Sequence, residues 1–344
     1  MPFIPENAFK LQDILASVIV PIAIPMMLFN SDFKKFSVKR SMITFLCALI
    51  ALIIAVIIGY MLFSDYLGEE KHKIGGMLAG VYSGGTPNLA ALKLMLNVKE
   101  ETFIILNSYD MLLSFLYLLF LITVGIKLFR KFFAFNIFKT QKHIYTLENQ
   151  SNETINCNEP DPYIGIFKKK NIVQILKAVG LSVIILAVSG GVGMLVKEEY
   201  FMVVVILLLT TFGIAASFFK RVRNLEKSYD AGIYLVYIFC VVVASMADIS
   251  NLDFRNGIFM LLYLFYVIFL SLIIHAVLSK IFKVDADSMV MSSVAFVCSP
   301  PMVPMMAAAM KNKNVIILGL SVGILGYAVG NYLGFILSEL FKIL

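Results

Sequence analysis

A chain of 344 residues that is 60% hydrophobic and 15% charged, with a mean hydropathy of +0.89, is too apolar to fold as a soluble globule. Its net charge of +7 and pI near 9.0 would suit a nucleic-acid binder, but in so apolar a chain Lys and Arg collect in cytoplasmic loops, and no nucleic-acid partner is expected. Continuous apolar runs, each near the roughly 20 residues that a helix needs to cross hydrocarbon, predict an all-α polytopic membrane protein; a β-barrel would require alternation instead.

The start, Met1–Lys10, lacks the basic segment and short apolar core of a signal peptide. Spanning helices are expected at 11–29, 41–63, 101–129, 172–196, 200–220, 230–247, 256–282 and 314–342. The polar stretch 130–171, with Lys131, Lys139, Lys142 and Lys168-Lys169-Lys170, divides the chain and reads as a cytoplasmic linker. Asn152-Glu153-Thr154 within it matches a glycosylation sequon, which has no meaning on a cytoplasmic loop. Cys47, Cys240 and Cys298 fall in membrane segments and Cys157 in the polar loop. No pair has metal-ligand spacing, so no metal beyond a coupling sodium is expected.

Two further stretches are about as long as a crossing but are broken at their centres. Ile74–Asn97 contains Ser83-Gly84-Gly85-Thr86-Pro87-Asn88, and Met289–Lys311 contains Cys298-Ser299-Pro300-Pro301. Unwound backbone is tolerated at membrane depth only where protein buries it or a wet cavity meets it. A Gly/Pro-interrupted segment in each half of a chain marks the binding site of many carriers.

Charge bias supplies the topology. Lys34, Lys35, Lys39 and Arg40, the 130–171 linker, Lys220, Arg221, Arg223 and Lys227, and Lys280 and Lys283 all belong in the cytoplasm. Loops at Asp65, Glu69 and Glu70, at Glu198-Glu199, and at Asp248 and Asp253 are then external. Only one full crossing, 101–129, fits between 64–73 outside and 130–171 inside, so 74–97 is a re-entrant hairpin from the outer side. The same counting makes 286–311 a hairpin from the inner side. Full crossing by both segments is the alternative, at the expense of charge bias in several loops.

The result is an inverted repeat. Residues 1–129 form the first repeat, with hairpin 74–97, and 172–344 the second, with hairpin 286–311. Helices 172–196 and 200–220 have no counterpart before residue 11, so either the first repeat is naturally shorter or two leading helices are missing from it.

The chemistry-bearing residues concentrate at these breaks. A Gly-Gly-Thr-Pro-Asn turn leaves amides and carbonyls without helical partners, and half-helix ends suit carboxylates and sodium. Ser83, Gly84, Gly85, Thr86, Pro87 and Asn88 are therefore candidate solute contacts, with Ser292, Ser293, Cys298, Ser299, Pro300 and Pro301 opposite them. The plainer reading is a packing kink in the first hairpin and serine-mediated helix packing in the second. Asp110 lies roughly nine residues, or about 14 Å, into its helix. An ionisable group there costs about 2.5–3.5 kcal/mol to insert, which marks it as functional by default. With Asn107, Thr86 and Asn88 it makes a candidate site for sodium or a proton; a structural hydrogen bond to the hairpin is the alternative. Lys93 either binds an anion or snorkels to the interface. His275 reads as a satisfied interfacial histidine. Asn331, Tyr327 and glycines 319, 323, 326, 330 and 334 form a small-residue packing face on the last helix.

Nearly the whole chain resembles a bacterial membrane family known as domain of unknown function 819, the YjcL-like proteins. The residues that carry the likeness are Val20-Pro21-Ile22-Ala23-Ile24-Pro25, Gly80-Val81-Tyr82-Ser83-Gly84-Gly85-Thr86-Pro87-Asn88, and Gly323 through Gly334. The resemblance implies a fold similar to bile-acid and glutamate symporter-type carriers, and supplies no substrate. Family members usually begin with two further helices, which agrees with the gap in the repeat count. Their second hairpin usually reads Asn-Ile-Gly-Gly-Pro-Ala-Thr, where this chain has Phe296-Val297-Cys298-Ser299-Pro300-Pro301-Met302. Phe296 and Met302 thus replace two polar positions.

The expected function is secondary active transport in the bacterial inner membrane. A core of both hairpins with 101–129 and 314–342 would carry a small polar or anionic organic solute past a scaffold, driven by sodium or protons. A passive channel and a non-transporting receptor or scaffold are the other classes. Catalysis is not expected: Asp110 after Tyr109 resembles an intramembrane aspartyl protease, but Asp248 lacks the required Gly-x-Gly setting. No cofactor other than the coupling ion is implied. Carriers on such scaffolds often form a homodimer, though no interface is legible.

Overall fold

The computed structural model describes residues 6–30, 39–134, 169–225, 227–246 and 254–344. Most of the 130–171 linker, the Lys34–Lys35 cluster and the Asp248 and Asp253 loop lie outside the described residues. Everything regular that is described is helical. In chain order the helices are α1 (Glu6–Phe29), α2 (Lys39–Phe63), α3 (Lys71–Gly84), α4 (Thr86–Met95), α5 (Glu100–Phe120), α6 (Ile126–Ala134), α7 (Lys169–Gly193) and α8 (Phe201–Ser217). There follow α9 (Lys220–Arg223), α10 (Ser228–Met246), α11 (Phe254–Ile281), α12 (Ala286–Val297), α13 (Val303–Met310) and α14 (Ile316–Ile343). A π-helical turn at Leu121–Gly125 carries α5 directly into α6.

Among the described residues, five helices are long and apolar enough to cross a membrane: Arg40–Tyr66, Glu100–Phe133, Asn171–Gly193, Gly257–Ile281 and Ile316–Ile343. Expected spans 11–29, 200–220 and 230–247 correspond to shorter apolar helices, Ser17–Phe29, Phe201–Ser217 and Ser228–Val242. The chain is an all-helical polytopic protein. Its helices show why amphipathic periodicity is a poor guide here. On α2, Met42, Leu46, Ile50, Ile54 and Ile58 form an exposed stripe, while Phe45, Ala48, Leu52, Ala55 and Val56 are buried. Both faces are apolar because one meets lipid and the other protein.

Packing pairs α1 with α10 and α2 with α11. In the second pair Tyr263 donates its hydroxyl to the Val56 carbonyl at 2.9 Å and leaves no room for a side chain at Gly59. α3 packs along α14 through small residues. A side chain at Gly76 would strike the Gly334 carbonyl and Ser338, and one at Gly84 would press on Asn88 and the Gly326 carbonyl. These contacts run antiparallel, since residue numbers rise on one helix as they fall on the other. α4 then returns along α3: Leu92 lies against Gly80 and Gly334, while Asn88 lies against Gly84 and Gly330.

The base of this folded-back pair is tied. Lys73 donates to the Asn97 carbonyl at 2.7 Å and to Glu70 at 2.9 Å, and the Lys99 backbone N–H reaches Glu70 at 3.3 Å. α12 and α13 are joined at their base in the same manner. Asp287 receives Arg130 Nε at 2.8 Å, Arg130 Nη2 at 3.0 Å and Asn312 Nδ2 at 2.8 Å, and Arg130 also donates to the Met310 carbonyl. Arg40 pairs with Asp285 beside it.

Gly330 sits where Ser83 and Asn88 approach α14 most closely. Gly330→Leu should therefore destabilise the protein by about 3 kcal/mol or more, as overpacked sites do. Gly190→Ala on α7, where nothing lies within 4 Å of the added carbon, should leave stability unchanged within about 0.5 kcal/mol or raise it. Thermal unfolding in detergent compares them, and equal midpoints would contradict the close packing.

Glu70 makes a second prediction. Burial pushes its carboxyl up, but hydrogen bonds from Lys73, Thr102 and the Lys99 backbone outweigh this and hold it below the usual carboxylate range. A depressed folded value means stability that is present above the unfolded pKa of about 4.3 and is lost as pH falls through the folded value. Glu70→Gln should lower the unfolding midpoint at neutral pH and flatten its decline in acid. An unchanged acid slope in the variant would remove Glu70 from this role.

Candidate functional site

The first break is built from local backbone requirements. Gly85 adopts φ 74° and ψ −167°, a disposition open to glycine and strained for other residues. Pro87 falls in the first turn of α4, where its missing N–H has no helical partner to lose. Gly85 N–H closes α3 on the Val81 carbonyl at 2.5 Å, and Gly85 O accepts from Asn88 N–H at 3.1 Å. Polar side chains at this tip turn inward. Ser83 Oγ donates back to Ala79 O at 2.8 Å or Gly80 O at 3.0 Å, and Asn88 Nδ2 donates to Gly326 O on α14 at 3.3 Å. Ser83 and Asn88 are both buried. Thr86 is half-buried, and its hydroxyl makes no hydrogen bond among the described residues.

The second break is less regular. α12 ends at Val297, Ser299 takes φ 71° and ψ 159°, and Pro300–Met302 forms a single 3-10 turn before α13. A non-glycine residue in that region carries strain of about 1–3 kcal/mol. The two tips touch: Gly85 lies so close to Ser299 that any side chain at 85 would collide with the serine. Pro300 packs its ring on Gly323 of α14. Pro301 and Met302, one step further, are exposed.

Asp110 lies beside this junction, 5% exposed. Ser114 Oγ is 3.3 Å from its Oδ1 and 3.4 Å from the Val297 carbonyl, and Cys298 Sγ donates to the Ser114 carbonyl at 3.5 Å. The Tyr82 hydroxyl stands next to the Asp110 carboxylate but outside hydrogen-bond geometry. Behind it, Tyr117 and Ser293 share a 2.5 Å hydrogen bond, and Ser292 faces His275 Nε2 at 3.4 Å.

The structure thus divides the residues singled out by sequence. Gly84, Gly85 and Ser299 meet at the tips, with Pro300 beside them on α14. Cys298 belongs with Asp110. Among the described residues no hydrogen bond joins any two of Thr86, Asn88, Asn107 and Asp110. Asn88 finds its partner on α14, whereas Asp110, on α5, has Ser114 of its own helix and Tyr82 of α3 beside it. Asn107 bonds only weakly to Met111 Sδ at 3.9 Å, and its Oδ1 is buried without a partner. Ser292 and Ser293 lie one to two turns below the second tip and face α11 and α5, and Pro301 faces outward. These are packing directions rather than a common surface. Lys93 pairs with Glu100 at 2.7 Å.

Sequence reasoning missed Tyr82, Ser114 and Tyr117 as neighbours of this centre. Ser114 was accessible from its spacing, one turn beyond Asp110. Tyr82 and Tyr117 resembled the many other aromatics, and only tertiary placement separates them. Tyr327, expected to serve packing, bonds to Tyr229 at 3.0 Å and stands near Ser299.

The family described as "Protein of unknown function (DUF819)" matches residues 3–344. The chain is 25% identical over 350 residues, 96% of its own length and 83% of the relative's, to the "Uncharacterized membrane protein YjcL" of Bacillus subtilis (strain 168). No solved structure matches it. With a family match from end to end and a helical fold built for lipid, the chain belongs to the DUF819 family and is a multi-pass membrane protein.

Proposed function

We propose that this protein is a secondary active transporter that moves a small polar or anionic organic solute, with a cation as driving ion. The observation that carries this reading is the meeting of two non-helical tips, Gly84–Gly85 and Ser299–Pro300, against one glycine-lined helix with a buried carboxylate beside them. Broken helices opposed at mid-membrane are the common architecture of carrier sites. The reading assigns no catalytic step and leaves oligomeric state open.

Packing supports an inverted repeat as the basis of that site. α1, α2, α3 and α5–α6 would correspond to α10, α11, α12 and α14. Each of α1, α2 and α3 packs against its own counterpart, and α3 lies on α14 as α12 lies on α6. Counterparts that pack on one another are what a two-fold axis exchanging the halves would produce. The tied bases support re-entrant hairpins, with Lys73 and Glu70 holding one at the acidic end and Arg130 and Asp287 holding the other at the basic end.

The two hairpins are unequally covered, and this favours alternating exposure. α4 is buried from Pro87 through Lys93 beneath α1, α8 and α10. α13 leaves Pro301, Met302, Pro304 and Met305 exposed. Irregular backbone is not stable against lipid, so the exposed side of the second tip suits a water-filled approach from the basic, cytoplasmic end. At the acidic end a pocket of about 480 Å³, lined by His72, Lys73, Lys93, Tyr200, Glu339 and Lys342 among others, is within the size range of small-ligand sites. Its lysines are each paired with a glutamate, so this rim does not by itself favour anions.

Accessibility tests the reading. In a background with all four cysteines replaced by serine, Ser83→Cys and Ser299→Cys should each be modified by a membrane-impermeant thiol reagent from opposite sides. Modification of one should slow modification of the other by about tenfold or more, the signature of exclusive states. Simultaneous labelling of both positions from one side would indicate a continuous pore and defeat the carrier reading.

A further inference from the structure

We propose that the cation bound by Asp110 is a proton, and that it travels between Asp110 and the basic end of the protein along a buried file through Tyr82, a one-water cavity and His275. The inference rests on the carrier reading and names its driving ion.

Asp110 has no cationic neighbour. The groups that face it are the Ser114 hydroxyl from α5, the Tyr82 hydroxyl from α3 and the Cys298 thiol after α12, and no Lys, Arg or His acts on it among the described residues. A carboxylate at this depth therefore needs a bound cation for neutrality. What surrounds it suits a proton. Hard cations take a convergent shell of several oxygens. Here the Ser114 hydroxyl is shared with the Val297 carbonyl, and the remaining neighbours are a phenol and a thiol.

A route leads away from it. The hydroxyls of Tyr82, Thr44 and Ser279 are all buried without a hydrogen-bond partner. Buried polar atoms are otherwise nearly always paired, so such orphans mark positions served by water. Between Tyr82 and His275 lies a cavity of about 10 Å³ whose polar lining is Tyr82, Ser271, His275 and Ser293. That is about the volume that one water requires, with enough polar partners to hold it. From there the imidazole contacts the Thr44 backbone carbonyl on α2 and Ser292 on α12. Ser279 lies one turn beyond it on α11, towards the end that carries Arg40, Lys280 and Arg130. His275 is thus faced by hydroxyls and a carbonyl, with no charged group against it.

The step balances without a further reactant. As the Tyr82 proton passes to an Asp110 carboxylate oxygen, the cavity water gives a proton to the Tyr82 oxygen. The water is replenished from His275, which takes a proton from the solvated end. Tyr82 and the water end as they began, His275 ends as its other tautomer and is reset when its ring proton exchanges back, and the net change is one proton on Asp110.

Infrared spectroscopy of the full chain in lipid tests this without any solute. A protonated-carboxyl band should be present in the wild type and absent in Asp110→Asn. In heavy water the band should exchange at least about tenfold more slowly in Tyr82→Phe and in His275→Gln than in the wild type, equivalent to about 1.4 kcal/mol of barrier. Unfolding midpoints confirm that each variant is folded, and the two variants block the file at separate points. The idea is overturned if no band depends on Asp110, if both folded variants exchange at the wild-type rate, or if replacing choline with sodium displaces the proton. Because these readings need no transport, a failed thiol-labelling experiment beside a positive infrared result would fault the carrier reading alone.

Discussion

The close approach of α14 to both folded-back pairs is the contact on which the remaining structure depends. Two helices carrying ordinary side chains stay 8–10 Å apart. α14 admits neighbours closer than that because its inward face is glycine at 319, 323, 326, 330 and 334. Met291 and Val303 fill the space over the first of these, Pro300 the second, Ser83 the third, and Asn88 and Leu92 the last two. One stripe therefore seats the second hairpin at one end and the first hairpin at the other. The Gly326 carbonyl, approached this closely, also becomes the acceptor for Asn88. Without a face of small residues, neither tip could reach the depth at which they touch.

That contact also answers the physical problem of a broken helix in lipid. Every unwound residue exposes backbone groups that hydrocarbon cannot satisfy. The first hairpin is enclosed at its tip apart from the half-buried Thr86, with α1, α8 and α10 on one side and α14 on the other. The second is enclosed on its α12 arm, buried from Ala286 through Val297 apart from Asp287, but only partly on its α13 arm. α1, α8 and α10 pack on α4, whereas the main helix contacts of α13 are with α12 and α14.

Much of this was legible in the chain itself. Apolar runs located the long helices, and Gly85 with Pro87 located the first break to within a residue, since each has a backbone requirement that few conformations meet. The glycine spacing on the last helix announced a packing face. Less legible were the directions of polar side chains. Nothing in the spacing of Asn88 and Asp110 says that one turns to α14 and the other to Ser114 and Tyr82, because that depends on how α3, α4 and α5 pack together. Ser299 was legible as a polar candidate but not as a strained one, since serine carries no signal for positive φ. The shared environment of Tyr82, Ser293 and His275 joins three separate stretches of sequence, and no local pattern could have assembled it.

Connectivity then constrains how such a core can move. Hairpin α3–α4 is seated on α14, which follows hairpin α12–α13 in the chain. Hairpin α12–α13 is clamped by Arg130 of α6, which follows hairpin α3–α4. Each hairpin is thus held by the helix that succeeds the other, and the four units interlock. Among the described residues no hydrogen bond joins the tips themselves; Gly85 and Ser299 meet by contact alone, while each tip is bonded to its supporting helix through Asn88–Gly326 or Ser114–Val297. Pulling the tips apart would cost little at the junction but would drag α14 and α5 with them. These bonds lie within the interlocked unit, while Tyr229–Tyr327, Tyr60–Phe341 and Arg40–Asp285 join it to the α1–α10 and α2–α11 pairs. The two hairpins, α14 and α5–α6 thus form one interlocked unit, with the strained Ser299 backbone and the half-buried Thr86 at its tips.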